Sequence, residues 1–280
     1  MGLRNIRIMV AYDGTDFQGW QVQKNGRTVQ GVLEEALQRM HGHPVRVYCA
    51  GRTDSGVHAV GQVINFLTDI DSIPEAKYYA ALNSYLPKDV RVLRSEKAVD
   101  NFHSRYNALS RTYRYYIFTG RVCLPQYRNY CYHIKKKVDI TLLNRMAAYL
   151  VGEHDFTTFS IPSDESPSRV RNIKSAIFFP EGQFLIFEIS GSSFLWKMVR
   201  SLVGTMLELE KEKAEPQRIK ALLDAKDWKL AGSKVPAKGL FLYAVEYDEL
   251  KRREKLKSYT NGGDSVKAEG EGIFREKQSR

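Results

Sequence analysis

The chain has 280 residues, 43% of them hydrophobic, with 43 Lys and Arg against 32 Asp and Glu and a formal net charge of +11. That length buries a real core in one large domain or two ordinary ones, and the basic balance suggests a polyanionic partner such as nucleic acid. No apolar run approaches the roughly 20 residues that span a bilayer, the start MGLRNIRIMVAYDG turns polar too early for a signal peptide, and three cysteines without a CxxC exclude a disulfide framework or a structural zinc site.

Ile6, Ile8 and Val10 alternate along 4–12 and predict a strand. Over 28–42, Val29, Val32, Leu33, Leu37 and Met40 share one face of a helix, with Thr28 as its N-cap. VRVYC (45–49) and VGQVINFL (60–67) are two strands joined by AGRTDSGVHA; a helix over 74–86 and a strand over 90–99 follow. The order is β-α-β-β-α-β. It recurs as a strand at 109–118, a helix at 140–151, strands at 170–179 and 184–190, helices at 193–212 and 216–224, and a strand at 239–247.

The fold class expected is therefore α+β: two tandem ferredoxin-like halves forming one continuous antiparallel sheet, with helices on one side and a central cleft. The halves divide as 1–106, which carries the Asp54 loop, and 107–250. Residues 251–280 make a basic tail with too few apolar residues to fold. The charge excess is not confined to that tail, since 34 Lys and Arg face 27 Asp and Glu through residue 250. The stretches 120–138 and 153–169 are long insertions, a common place for binding loops.

Three stretches hold candidate chemistry. Asp54 lies in AGRTDSGVHAVGQ (50–62). T-D-S-G is a good turn former, so a purely structural turn is one reading. The connection is longer than a tight hairpin needs, however, and Arg52 and His58 stand close by as donors. An aspartate facing a cation keeps a low pKa and stays ionised, as a nucleophile must. In SRTYRYYIF (110–118) alternation places Arg111, Tyr113, Tyr115 and Ile117 on one face. Arginine interleaved with tyrosine can clamp phosphates and stack bases; an ordinary aromatic strand with arginines at its rim is an equal reading. In GSSFLWKMVRSLVG (191–204), Arg200 falls among apolar helix positions. A buried cation is costly without an anion, so Arg200 either reaches water or faces a carboxylate such as Asp54.

No GxxxxGK[ST], GxGxxG, HExxH or GxSxG occurs. No paired carboxylate accompanies Asp54, which weighs against a glycosidase.

Five stretches taken together resemble the tRNA pseudouridine synthase A family: YDGTDFQGWQVQ (12–23), AGRTDSGVHAVGQ (50–62), NFHSRYNALSRTYRYYIF (101–118), SFLWKMVRSLVG (193–204) and PAKGLFLYAVEY (236–247). They occur in the family's order and span nearly the whole chain to about residue 248. The resemblance implies that Asp54 is the essential aspartate and that Arg200 is the basic residue paired with it. It implies that Tyr113 is the active-site tyrosine, stacked on the target uracil, and that Arg52 helps open the RNA. Leu240 would line the pocket, and Phe102, His103 and Arg105 would shape an RNA-binding cleft. His58 and Arg111 complete the expected substrate contacts.

The implied reaction turns uridine into pseudouridine in the anticodon stem-loop, at positions 38 to 40 of tRNA, after base flipping. The expected enzyme is a cytoplasmic homodimer with tRNA as partner, no membrane association, no metal and no cofactor. Ser55 and Ser104 stand where the family commonly has alanine, a small change. Two other readings remain: a catalytically silent RNA-binding module of the same fold, and a pseudouridine synthase with another RNA target. A hydrolase using Asp54 would need a metal or a phosphate loop, and the sequence shows neither.

Overall fold

A computed structural model describes residues 2–248, and the tail expected at 251–280 lies outside the described residues. Period-two alternation builds the first strand: in β1 (Arg4–Tyr12) the side chains of Ile6, Ile8, Val10 and Tyr12 are all buried. They join Leu33 and Leu37 of α1 (Val29–His41) and Tyr78 and Leu82 of α2 (Tyr78–Asn83) in one apolar cluster. Thr28 caps α1 as expected, its side chain accepting from the Gly31 N–H. The first half is completed by β2 (Tyr48–Cys49), β3 (His58–Thr68) and β4 (Val90–Lys97).

The second half contains β5 (Ala108–Phe118), β6 (Tyr132–His133), α3 (Ile140–Ala147), β7 (Gly152–Asp155) and β8 (Val170–Glu181). It continues through β9 (Phe184–Gly191), α4 (Met198–Lys211), α5 (Arg218–Ala225) and β10 (Leu240–Tyr247). Tyr115 and Ile117 of β5, with Phe187 and Ile189 of β9, pack in the same cluster as Leu143 and Met146 of α3 and Leu202 and Met206 of α4. On the opposite face of β5, Thr112, Arg114 and Tyr116 stay half-exposed, with Arg114 lying 3.8 Å above the Tyr243 ring.

All ten strands belong to one sheet with the path β4-β1-β3-β10-β5-β9-β8-β7, to which β2 adds on β3 and β6 on β5. Each half places its four principal strands in the same spatial order, β4-β1-β3-β2 and β10-β5-β9-β8. The repeat read from element order is thus a repeat of topology.

The sheet is mixed rather than antiparallel throughout. The two halves join where β10 runs parallel to β3 through two residue pairs, Phe241 with His58 and Leu242 with Ala59, and β6 is parallel to β5. The direction of β10 is fixed by its antiparallel ladder on β5, so it must meet β3 in the orientation that ladder dictates. The same edge of β3 also receives β2, at Ile64 and Asn65. The strand expected over 45–49 keeps only its last two residues; continued in the same register, 45–47 would face 66–68, at the end of β3 away from β10.

Three predicted helices are shorter than their patterns. The helix expected over 74–86 is a 3₁₀ turn at Glu75–Lys77 followed by α2, and that over 140–151 is α3 closed by a 3₁₀ turn at Ala148–Leu150. The long helix expected over 193–212 begins only at Met198. Its apolar start is instead a connection that ends on Lys197 in the left-handed region at φ 63. A residue with a side chain holds that conformation only where surrounding contacts impose it. Among the described residues no helix is long and apolar enough to cross a membrane.

Candidate active site

The loop between β2 and β3 carries Asp54, and the amino-terminal YDGTDFQGW segment holds it from outside. Trp20 donates its backbone N–H to the Thr53 carbonyl at 3.0 Å, and the Gly56 N–H and the Ser55 hydroxyl both reach the Phe17 carbonyl. A side chain at Gly14 would put its Cβ 2.1 Å from the Val57 carbonyl oxygen, and one at Gly19, where φ is +92, would stand 2.8 Å from the Thr53 oxygen. Only glycine lets the two backbones approach so closely. From beneath, the Tyr12 and Thr53 hydroxyls meet at 2.8 Å, and the Gln62 amide donates to the Gly51 carbonyl at 2.7 Å.

Asp54 then faces α4. Its Oδ2 lies 3.5 Å from Nη1 of Arg200, and each side chain is about four-fifths buried, at 20% and 17% exposure. Arg200 sits on the first turn of α4, and its Nε donates to the Val235 carbonyl at 2.8 Å. The buried-pair reading of Arg200 is therefore the one realised. Two effects compete at the carboxyl. Burial raises its pKa, while Arg200, then Trp196 and Lys197, pull it down; burial is the larger, and Asp54 ends above its ordinary value. This corrects the expectation of a lowered pKa. Removing a carboxylate from water costs more than one guanidinium at that distance returns.

Tyr113 projects from β5 into the same place. It is buried, its hydroxyl points at Gly51, and its ring meets Phe194 edge-on at 5.1 Å. Burial, with the Asp54 charge as the next cause, pushes its phenol well above the ordinary tyrosine value and keeps it protonated. Leu240 opens β10 opposite Tyr115 and is buried. The turn before it closes the pocket: Gly56 abuts Ala237, and the Tyr115 hydroxyl donates to the Pro236 carbonyl at 2.8 Å. Asp54, Tyr113, Arg200 and Leu240, which span 187 positions of sequence from first to last, are thus assembled at the seam between the halves.

The other expected residues divide. Arg52 is exposed beside Asp54. Phe102 is half-buried against Tyr247 at 5.2 Å, while Arg105 is exposed and His103 half-exposed. His58 and Arg111 are not free to meet a substrate. Nδ1 of His58 accepts from the Gly14 N–H at 2.9 Å and Nε2 donates to the Asn129 carbonyl at 3.0 Å; the ring is buried and stacked on Phe241 at 4.5 Å. Burial lowers its pKa, which keeps it neutral. Arg111 is buried too, and its guanidinium donates to the carbonyls of Ala50, Arg105, Ala108 and Ser192. Neither side chain has a donor left for RNA.

The family model for tRNA pseudouridine synthase matches residues 8–107 and 146–248. The chain is 48% identical over 251 residues to the tRNA pseudouridine synthase A of Treponema denticola, covering 88% of this chain and 94% of that one. It is 41% identical to the protein of that name from an Exiguobacterium species, covering 89% of this chain and all of the other. It is 42% identical to that of Borrelia hermsii, covering 88% and 100%. The chain belongs to the tRNA pseudouridine synthase family. It is accordingly an isomerase that makes pseudouridine in tRNA.

Residues that sequence reasoning missed also stand at this site. Trp196 and Lys197 stand beside Asp54, and both favour its ionised form. They reach it because 193–197 is not helical. Asp164, from the insertion at 153–169, accepts the Trp196 backbone N–H at 2.5 Å and the Ser166 N–H at 2.8 Å; Arg169 balances its charge at 3.5 Å. One signal was available: an acid and an arginine five residues apart in an insertion otherwise rich in Ser and Pro. The hydroxyls of Tyr12 and Thr53 gave no such sign, since their contact spans 41 positions of sequence.

Proposed function

We propose that this enzyme isomerises uridine in the anticodon stem-loop, at positions 38 to 40 of tRNA, with Asp54 as nucleophile acting on a flipped-out nucleotide. The observation that carries the reading is the Asp54–Arg200 pair, 3.5 Å apart and mostly buried, next to the protonated Tyr113 phenol. A surface that only binds phosphates has no use for a desolvated carboxylate.

The reaction breaks the N1–C1′ bond, turns the uracil and joins C5 to C1′. C5 loses a proton and N1 gains one, so the atoms balance without oxidant or reductant. Unstacking the uridine costs a few kcal/mol, which stacking on Tyr113 and phosphate contacts from exposed Arg52 offset. Asp54 attacks C1′ or C6, or takes the 2′ proton to give a glycal. Arg200, pinned by Val235, orients the carboxylate and lowers its pKa against the effect of burial. Leu240 gives the pocket an apolar wall against the base. The family resemblance of the five sequence stretches supports a homodimer acting on cytoplasmic tRNA.

Unmodified tRNA transcript, incubated with the enzyme and probed by carbodiimide labelling, tests this. Pseudouridine is expected at positions 38 to 40 with the parent protein and not with Asp54→Ala, while tRNA binding persists in both. Product from Asp54→Ala removes the aspartate from its role. Binding without product in the parent favours the silent binding module, and product at other positions favours a different RNA target.

A further inference from the structure

Several described arginines have a carboxylate partner, among them Arg4, Arg7, Arg27, Arg94, Arg114 and Arg200. Arg46, Arg52 and Arg105 do not. Their guanidinium groups make no ion pair or hydrogen bond among the described residues. The charges of Arg52 and Arg105 both bear on the Cys49 thiol.

Aromatic rings stand among these cations. Tyr48 and His103 have centroids 4.9 Å apart, and His103 and Tyr106 4.4 Å apart, tilted by 49° and 40°. Arg46 lies 5.5 Å from the Tyr48 ring and Arg105 5.9 Å from the Tyr106 ring. The column ends in solvent: Tyr106 is 76% exposed. Uncompensated cations interleaved with open ring faces match single-stranded nucleic acid, whose bases stack and whose phosphates need neutralising.

The column is also tied to the reaction centre. Nη2 of Arg111 donates at once to the Ala50 carbonyl at 2.8 Å and to the Arg105 carbonyl at 2.5 Å. One guanidinium therefore fixes the ring-bearing segment against the loop that presents Asp54.

We propose that Tyr48, His103 and Tyr106 form a second RNA subsite that stacks unpaired bases beside the flipped uridine, while Arg46 and Arg105 hold their phosphates. It rests on the reading of the chain as a tRNA-modifying enzyme, but it requires only RNA with unstacked bases. Because every base has a π-face, such a subsite tolerates different loop sequences. A continuous duplex, with its bases already stacked, offers it nothing.

The test uses the full chain and two RNA hairpins with one stem, the first with an ordinary loop and the second with abasic loop nucleotides. Dissociation constants come from fluorescence anisotropy. Tyr106→Ala is expected to weaken the ordinary hairpin about tenfold, as the loss of one stacked base does, and to leave the abasic one within about twofold. Tyr106→Phe, which keeps the ring, is expected to bind like the parent and guards against a folding defect. Arg105→Ala is expected to weaken both hairpins and to lower the slope of log affinity against log salt by about 0.7. Equal losses on both hairpins with Tyr106→Ala, or no loss on either, overturn the subsite. Loop-dependent binding by a parent protein that forms no pseudouridine would sink the proposed reaction and leave the subsite standing.

Discussion

Arg200 touches Asp54 with one end of its guanidinium, 3.5 Å from Oδ2, and the Val235 backbone with the other, 2.8 Å from Nε to the carbonyl. A cation held at two points cannot swing to solvent. It acts as a fixed counter-charge whose removal leaves the carboxylate with its burial uncompensated.

Arg200→Leu is therefore expected to raise the Asp54 pKa further. On the proposed reading, in which the ionised carboxylate reacts, the acid limb of the pH–rate profile should move to higher pH, with a greater loss of kcat/KM at pH 6 than at pH 8. Misorientation of the carboxylate adds a loss on the order of 100-fold. An acid limb unmoved by the substitution would separate the pair from catalysis.

Gly14→Ala is expected to disable the enzyme from outside the pocket. Its Cβ would stand 2.1 Å from the Val57 oxygen, so either the Asp54 loop or the amino-terminal segment must give way. The cost should be about 1–3 kcal/mol of stability, read by urea unfolding, and on the order of 100-fold in single-turnover rate. A variant with parent activity would mean that the loop tolerates displacement.

Arg111 ties four carbonyls from three segments to one buried fork. Arg111→Met should lower unfolding free energy by about 3 kcal/mol. Arg111→Lys should recover little, because an ammonium cannot reproduce the planar donor set. Urea midpoints at constant m-value measure both; a lysine variant as stable as the parent would contradict this account.

His58 gives stability a pH dependence. Its folded pKa is depressed below the ordinary 6.5 by burial, so the unfolded chain binds the proton first as pH falls. The stability held by the neutral ring is complete above 6.5 and declines as pH drops through that value toward the folded one. His58→Gln should have a flatter profile between pH 7 and 5, checked by urea unfolding at each pH. A parent protein equally stable at both ends would show the ring to be protonated without cost.

Much of the fold was legible because it is local. Ile6, Ile8 and Val10 mark β1 by simple alternation, and Thr28 starts its helix through a contact three residues away. What escaped is non-local. Residues 193–197 have the apolar character of a helix, yet a carboxylate some 30 positions earlier holds the Trp196 N–H, and Lys197 turns left-handed. For the site, the pairing of Asp54 with Arg200 was legible as one of two options. The pKa direction was not, because burial has no one-dimensional signature. His58 and Arg111 read as donors for RNA because their type and position suit that task; only the folded chain shows their nitrogens already engaged. The parallel join was hidden for the same reason, since it depends on where β10 arrives.

The parallel join sets a schedule for the nascent protein. β10 is the last strand among the described residues, yet it lies in the interior of the sheet and bridges its two parts. Until the ribosome has released that strand, the backbone ladder that runs from β3 through β10 to β5 cannot form. The nascent polypeptide is therefore expected to complete the pocket around Asp54 only once Leu240 and the rest of β10 have paired with β5.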